Sequence, residues 1–439
     1  MSIGLLILYV LSVLVTGLLA LTSLAHTKIF HSLKNAQQLA IISSIVTEYS
    51  VYILSSKLMM LYEMDSSYFD STIMTIIYRL DIIIILSFWA FFLQSVFSRH
   101  PIYESTKFMR NETSTIPPSI FTISFWFRFN NPFWEARNIL FQDNILYATE
   151  QEVLEASKSS PRAKTQLSLD IHQHPSFPRN RPVVIYIHGG NWKEGSKEER
   201  PPLVSYLTLK KYVVVSINHR LAPFVDINEQ LIDVKRAIRW VRQNIHKFGG
   251  DPSFIAICGG SSGGHLATMA AFTQNEKRYQ PGFEDVDTSI QACISLGGYF
   301  DLTHSWGYKF DQSFKKSVAK SEDMEVSRRF SPTWILKEAE ANKTRVAATE
   351  EDKLGPVFPP MMVIHGKNDS LAPIKHVRDF KKEFAIAARK GCHITLIELP
   401  SANHYFYRWS SPRSHTLAYG IEPFIRSFYD KHQEAIKSQ

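Results

Sequence analysis

Residues 255–272 read IAICGGSSGGHLATMAAF, a glycine- and serine-rich turn between two apolar runs. We predict a strand over residues 255–258 and a helix over residues 265–272. A Gly-x-Ser-x-Gly turn between a strand and a helix is so tight that small residues must flank the serine. Two frames fit, with either Ser261 or Ser262 at the centre. We favour Ser261, because glycine stands two positions before it and two positions after it, and a further glycine lets the helix pack closely.

The chain on both sides of this turn alternates between strands and helices. Strands that are buried on both faces read as continuous β-branched runs, as PVVIYI and YVVVSI do. The predicted strands are 167–172, 182–187, 212–217, 255–258, 292–296, 361–365 and 394–399, and an amphipathic helix covers 228–248. This order predicts an α/β fold, a mainly parallel sheet with helices on both faces. The stretch 299–356 does not alternate and is charged and helix-rich, so we expect an inserted cap there.

The motif HGGNW at residues 188–192 directly follows one of the predicted strands. Glycines have no Cβ, so backbone N–H groups in this loop can turn towards a developing oxyanion. We expect the N–H groups of Gly189, Gly190 and Ser262 to form that oxyanion hole. Asn191 and Trp192, the next residues of the loop, are expected to bind substrate.

A nucleophilic serine on such a turn needs an acid and a histidine, which follow it in that order along the chain. Asp369 comes just after the predicted strand 361–365, and His404 comes just after 394–399. His404 can take the proton of Ser261, and the Asp369 carboxylate can fix the tautomer of the ring. Asp287 and Asp301 are weaker candidates for the acid, because they lie early, near the expected cap.

Five motifs in this order resemble the esterase and lipase branch of the α/β-hydrolases that includes the hormone-sensitive-lipase-like carboxylesterases. They are HGGNW, SINHRLAP, DVKRAIRWVRQNIHKFGGDPSFIAICGGSSGGHLA, PPMMVIHGKNDSLAP and LPSANHYFY. The resemblance covers about residues 167–429 and implies Ser261, Asp369 and His404 as the catalytic triad. The usual third glycine of the oxyanion motif is Asn191 here, which is similar to feruloyl-esterase-like and formamidase-like relatives. The tyrosine that usually precedes RLAP is His219, and the residue before the serine is Gly260.

The N-terminal third contains apolar segments that are long enough to cross a membrane. Residues 4–24 form an uncharged apolar run, which favours a retained transmembrane helix over a cleaved signal peptide. Residues 39–62 carry Glu48 and Lys57, so they form a borderline span or an interfacial helix. Residues 73–97 predict a stronger span, with Arg79 and Asp81 near its start. Snorkelling of these two charges towards the headgroups is the expected explanation.

The expected domains are a membrane region over 1–100 with one to three helices, a linker over 101–165 and a hydrolase domain over 166–432. The linker contains the aromatic run at residues 121–134, expected at an interface, and then a segment of helix-forming residues. If all three segments span, the positive-inside rule places the N-terminus outside and the hydrolase domain in the cytosol. The glycosylation sequons at Asn111 and Asn342 would instead suit a single span and a lumenal domain.

Composition restricts the classes of partner. Although the net charge is +8, the basic residues are scattered without a stripe, so we do not expect nucleic-acid binding. The three cysteines, Cys258, Cys293 and Cys392, have neither disulfide-framework nor metal-ligand spacing, and the first two are expected in the core. No cofactor is expected. The partners expected are a lipid bilayer, such as that of the endoplasmic reticulum, and a small apolar ester.

The expected function is therefore ester hydrolysis at a membrane. An amide hydrolase, a formamidase or a deacetylase would use the same triad, so the sequence leaves that choice open. A prolyl-oligopeptidase-type peptidase is disfavoured because no repeat array for a propeller precedes the domain. A catalytically silent membrane protein is disfavoured because all three triad residues and the oxyanion glycines are present.

Overall fold

A computed structural model of the chain describes residues 3–24, 36–64, 66–109, 122, 139–176, 179–303, 315–345 and 356–438. In that part of the chain, eight strands form one sheet in the order β1-β2-β4-β3-β5-β6-β7-β8. The strands are β1 Leu140–Leu146, β2 Ser168–Gln173, β3 Arg181–Ile187, β4 Val213–Ile217, β5 Gly250–Gly260, β6 Ala292–Leu296, β7 Met361–Gly366 and β8 Ile394–Leu399. Neighbouring strands from β4 to β8 pair in parallel, whereas β2 is antiparallel to both β1 and β4. The predicted α/β architecture is confirmed.

Helices cover both faces of this sheet, and each face has its own apolar core. In chain order the helices are α1 Ile3–Leu24, α2 Ala36–Glu48, α3 Ser50–Tyr62, α4 Thr72–Phe97, α5 Arg99–Thr106, α6 Glu150–Ser157, α7 Ala163–Gln166, α8 Pro202–Leu209, α9 Ile227–Asn244, α10 Ser262–Phe272, α11 Met324–Arg329, α12 Pro332–Arg345, α13 Ile374–Ala387 and α14 Pro412–Lys437. The apolar stripe of α9 faces the core, as its sequence pattern predicts. Cys258 and Cys293 are buried in strands, so the core interpretation of these two cysteines is confirmed.

Strand β1 lies where the sequence was interpreted as a helix-forming linker, and that interpretation is wrong for residues 140–146. The strand lies at the sheet edge, is largely exposed, and pairs with β2 through its backbone. Its register shifts between Gln142 and Ile145, and Asn144 has φ 56°. Such a bulge interrupts the alternation of side chains by which a strand is recognised in sequence. The sheet therefore begins at Leu140, before the predicted domain start at residue 166.

The N-terminal helices form a bundle. In the described residues, two helical stretches are long and apolar enough to cross a membrane, Gly4–Leu24 and Thr72–Met109. The borderline segment is α2 followed by α3, and these two helices meet at an angle of 65°. Asp81 of α4 is fully buried and lies 2.5 Å from the Lys57 ammonium of α3, so the snorkelling interpretation is wrong for Asp81. Arg79 is exposed.

The expected cap is described in part. A π-helical turn at Lys315–Ala319, helix α11 and helix α12 lie in this stretch, and α12 packs against α10 and α13. The Phe330 carbonyl lies 2.7 Å from His265 Nε2 of α10. Residues 304–314 and 346–355 lie outside the described residues, as do the sequon at Asn111 and all of the aromatic run 121–134 except Thr122. Asn342 is exposed on α12.

Candidate active site

Ser261 is the single residue that joins β5 to α10. Its backbone has φ 54° and ψ −122°, a conformation that residues with a Cβ rarely adopt. The Ser261 N–H donates to the Leu296 carbonyl of β6 at 2.8 Å, and its own carbonyl accepts from the His265 N–H at 3.0 Å. Ser262 is the first residue of α10. Of the two serines, it is Ser261 whose Oγ lies 2.7 Å from His404 Nε2.

The glycines around the serine are required by close contacts. A Cβ on Gly260 would lie 2.3 Å from the Tyr407 ring, and a Cβ on Gly263 would lie 2.3 Å from the Ile187 carbonyl oxygen. Heavy atoms cannot approach so closely, so the backbone of this turn packs directly against β3 and against the loop after β8. The sequence rule that small residues must flank the serine therefore has a specific steric cause here.

His404 and Asp369 lie at the same edge of the sheet as Ser261. Asp369 follows β7 and His404 follows β8, and parallel neighbouring strands end at the same edge. His404 Nδ1 lies 2.7 Å from Asp369 Oδ2. The other carboxylate oxygen, Oδ1, accepts from the N–H groups of Leu371 and Ala372 at 2.9 and 2.8 Å. Ser261, His404 and Asp369 are almost completely buried.

A second histidine, His365 on β7, also faces the acid. Its Nε2 lies 3.2 Å from Asp369 Oδ2 and 2.6 Å from the Ala372 carbonyl oxygen. Burial by itself would raise the pKa of Asp369, but His404 and His365 outweigh it and hold that pKa well below its ordinary value. The acid therefore stays a carboxylate. The sequence analysis did not identify His365, whose position inside the apolar strand MMVIH resembles that of a core residue.

The loop after β3 lies against the serine. A Cβ on Gly189 would lie 3.2 Å from the Ser261 Cβ, so the loop backbone is in contact with the nucleophile turn. Gly190 has φ +129°, and a Cβ there would lie 2.0 Å from the Glu194 carbonyl oxygen, so only glycine fits. The Gly190 carbonyl accepts from the N–H groups of Lys193 and Glu194, both at 3.0 Å, which closes the loop into a tight turn.

The two residues proposed for substrate contact differ in exposure. Asn191 is partly exposed, whereas Trp192 is buried in the core. The Trp192 ring packs against Tyr299 at 5.2 Å, and Tyr299 lies 5.8 Å from the His404 ring. Trp192 is thus one ring removed from the histidine, and contact of either residue with substrate stays a prediction.

His188 and His219 form a buried stacked pair beside this loop, with ring centroids 4.7 Å apart. Burial lowers the pKa of His188 to about 3 and that of His219 to about 4, so both rings are neutral near pH 7. His219 stands where the family pattern usually has a tyrosine before RLAP. Two neutral rings stack without the repulsion that two imidazolium charges would cause.

The sheet region is similar in sequence to known ester hydrolases. The BD-FAE family model matches residues 169–384. The probable carboxylic ester hydrolase LipM of Mycobacterium tuberculosis is 35% identical over 264 residues, which is 60% of this chain and 58% of that protein. Esterase LipQ of the same organism is 33% identical over 275 residues, 61% of each chain. The chain thus spans about three fifths of the length of these curated relatives.

A solved structure gives the same fold. The crystal structure of esterase B from Lactobacillus rhamnosis aligns with a TM-score of 0.53 at 18% identity, over 72% of this chain and 96% of that chain. At this identity the alignment supports the fold alone. The fold is therefore that of the α/β-hydrolases.

Proposed function

We propose that this chain is a membrane-anchored serine carboxylesterase with Ser261 as its nucleophile. The observation that carries the proposal is the continuous line Ser261 Oγ, His404 and Asp369, whose two contacts are both 2.7 Å long. This is the arrangement that a general base and its orienting acid need in order to activate a serine. The similarity to carboxylic ester hydrolases supports an ester as the substrate.

The proposed reaction has two halves. Ser261 Oγ attacks the ester carbonyl while His404 Nε2 takes its proton, and Asp369 accepts the Nδ1 hydrogen bond of the imidazolium. The oxyanion is stabilised by the N–H groups of Ser262, Gly189 and Gly190. His404 then gives the proton to the departing alcohol, which leaves an acyl-enzyme. Water, deprotonated by His404, attacks the acyl group, releases the carboxylic acid and restores the serine.

The proposed location is a membrane, with α1, the bent pair α2–α3 and α4 as three spans. Their length and apolar surface support this, and the substrates proposed are apolar esters that partition into lipid, such as acylglycerols, acetylated sterols or prenylated molecules. The proposed division is a membrane region over 1–100 followed by a hydrolase domain that includes β1. The side of the catalytic domain is proposed to be cytosolic, from the positive-inside distribution of Lys and Arg.

Labelling with a fluorophosphonate probe tests the nucleophile. We expect the wild-type chain and Ser262→Ala to be labelled and Ser261→Ala to stay unlabelled, because of the two serines it is Ser261 whose Oγ lies 2.7 Å from His404 Nε2. Labelling that survives in Ser261→Ala and disappears in Ser262→Ala would contradict the assignment. A folded wild type that is never labelled would favour a silent membrane protein. Turnover of an ester and of its matched amide then separates an esterase from an amide hydrolase.

Protease accessibility tests the location. Two contacts support the proposal that the N-terminus and the hydrolase domain lie at opposite ends of the helix bundle. Tyr9 and Met64 pack together with Met74 at the start of α4, whereas Ser98 just after α4 contacts Arg413 of α14. In sealed vesicles with the cytosolic face outward, we expect an N-terminal tag to be protected and the hydrolase domain to be digested. Protection of the hydrolase domain would contradict the cytosolic placement.

A further inference from the structure

Helix α2, which belongs to the N-terminal bundle, lies directly on the two loops that carry His404 and Asp369. We propose that α2 positions His404, with Ser44 as the positioning residue, so that the reactivity of Ser261 depends on a helix some 200 residues away in sequence. The inference rests on the proposed function, because it concerns the geometry of the same triad.

The hydrogen bonds between α2 and the histidine loop involve the residues on both sides of His404. The backbone N–H of Tyr405 donates to Ser44 Oγ at 3.3 Å. The side-chain amide of Asn403 donates to the Ser43 carbonyl at 3.3 Å and to Thr47 Oγ1 at 3.4 Å. Asn403, Tyr405 and Ser44 are all buried, so water cannot replace these partners without opening the interface.

An apolar contact joins the same helix to the acid loop. Ala40 of α2 forms a buried cluster with Tyr405, which follows His404, and with Leu371, which follows Asp369 by two residues. The Leu371 N–H is itself one of the donors to Asp369 Oδ1. A single face of α2 therefore contacts both loops and fixes the distance between them.

An ion pair anchors the end of the helix. Glu48, the last residue of α2, is paired with Arg413 at the start of α14, and both side chains are about 1% exposed. The Arg413 guanidinium also donates to Ser98 Oγ at 2.9 Å and to the Pro400 carbonyl at 3.3 Å, and Pro400 directly follows β8. The histidine loop is thus held at its start through Arg413 and at its centre through Ser44.

These contacts have a kinetic consequence. A general base works only when its nitrogen is in hydrogen-bond reach of the proton it removes, and a displacement of about 1 Å can cost about a hundredfold in rate. Loss of the Ser44 hydroxyl leaves the buried Tyr405 N–H without its acceptor, and the loop must shift to satisfy it. The shift moves His404 relative to Ser261, so the chemical step slows while substrate binding is retained.

The test compares Ser44→Ala with Ser55→Ala in the full-length chain. Ser55 is a matched control, because it is exposed on α3 and its hydroxyl makes the same bond to the carbonyl four residues earlier. We expect Ser44→Ala to lower kcat on a short ester about tenfold, with KM nearly unchanged, and to slow fluorophosphonate labelling similarly. Ser55→Ala should match the wild type. Thr47→Val, which removes the Asn403 contact but keeps the shape, should shift kcat in the same direction.

The outcomes separate this inference from the proposed function. Wild-type chain that reacts with neither ester nor probe overturns the proposed function. If the wild-type chain reacts but Ser44→Ala and Thr47→Val both have the kcat and labelling rate of Ser55→Ala, the positioning role alone is overturned. Thermal unfolding in the same detergent identifies a variant that has lost its fold. In that case, the positioning role is judged from the kcat and the labelling rate of the other variant.

Discussion

At the scale of single residues, two histidines contact the carboxylate of Asp369. His404 and His365 both approach Oδ2, and two backbone N–H groups occupy Oδ1. Each of these partners favours the charged carboxylate, which explains why the pKa of Asp369 is lowered despite complete burial. We therefore expect His365 to be a positioning residue for the proposed acid, acting on the reaction through Asp369 and His404.

We predict that His365→Phe lowers kcat about tenfold, because it removes one of the contacts that favour the charged carboxylate and leaves the others. Asp369→Asn should lower kcat about 10⁴-fold, as the same change does in the Ser-His-Asp triad of serine proteases, because an amide supports the wrong tautomer of His404. The measurement is steady-state kinetics on a soluble ester, with KM as the check on substrate binding. Equal kcat values for His365→Phe and the wild type would contradict the role of His365.

Sequence could predict the proposed triad because each of its members follows a strand. A residue after the carboxyl end of a parallel strand lies at one known edge of the sheet, so order along the chain translates into proximity. Ser44 and His365 have no such signal. His365 lies within an apolar strand, and Ser44 meets Tyr405 across 361 positions of the chain, a contact that leaves no local pattern.

At the scale of elements, the charges in the N-terminal helices are paired between helices. Lys57 of α3 contacts Asp81 of α4 at 2.5 Å and Ser12 Oγ of α1 at 3.0 Å. The Lys57 ammonium also lies 5.5 Å from the centre of the Tyr9 ring. The spacing of charges along one helix predicts only partners on that helix, which is why the sequence suggested snorkelling for Asp81. One polar cluster joins the three helices instead.

We predict that Lys57→Met destabilises the bundle strongly, by about 3–5 kcal/mol, because Asp81 is left as a buried charge without its partner. The double variant Lys57→Met/Asp81→Leu should lose much less, since it removes both charges together. Reversible denaturation in detergent micelles measures both values against the wild type. The prediction fails if the double variant loses as much free energy of unfolding as Lys57→Met and Asp81→Leu lose in sum, because the two charges would then not depend on each other.

At the scale of the whole molecule, the part of the chain that the structure describes buries several neutral histidines. Five of them have a pKa well below the ordinary 6.5, in each case chiefly through burial. The values are about 3 for His172, His188 and His376 and about 4 for His219 and His265. They occur on one strand, on two helices and in the loops after β3 and β4, so the effect belongs to the folded domain as a whole.

We predict that acid destabilises the chain well above the pH at which carboxylates titrate. Between about pH 6.5 and pH 4 the unfolded chain binds protons at these five histidines and the folded chain does not. Unfolding therefore takes up protons, and the free energy of unfolding falls as pH falls, by up to about 1.4 kcal/mol per pH unit for each histidine.

Denaturant unfolding at pH 7.5 and pH 5 measures the slope of the free energy of unfolding against pH. His172→Gln should reduce this slope by about one proton. A slope that is flat over this range would mean that the buried histidines are protonated in the folded state.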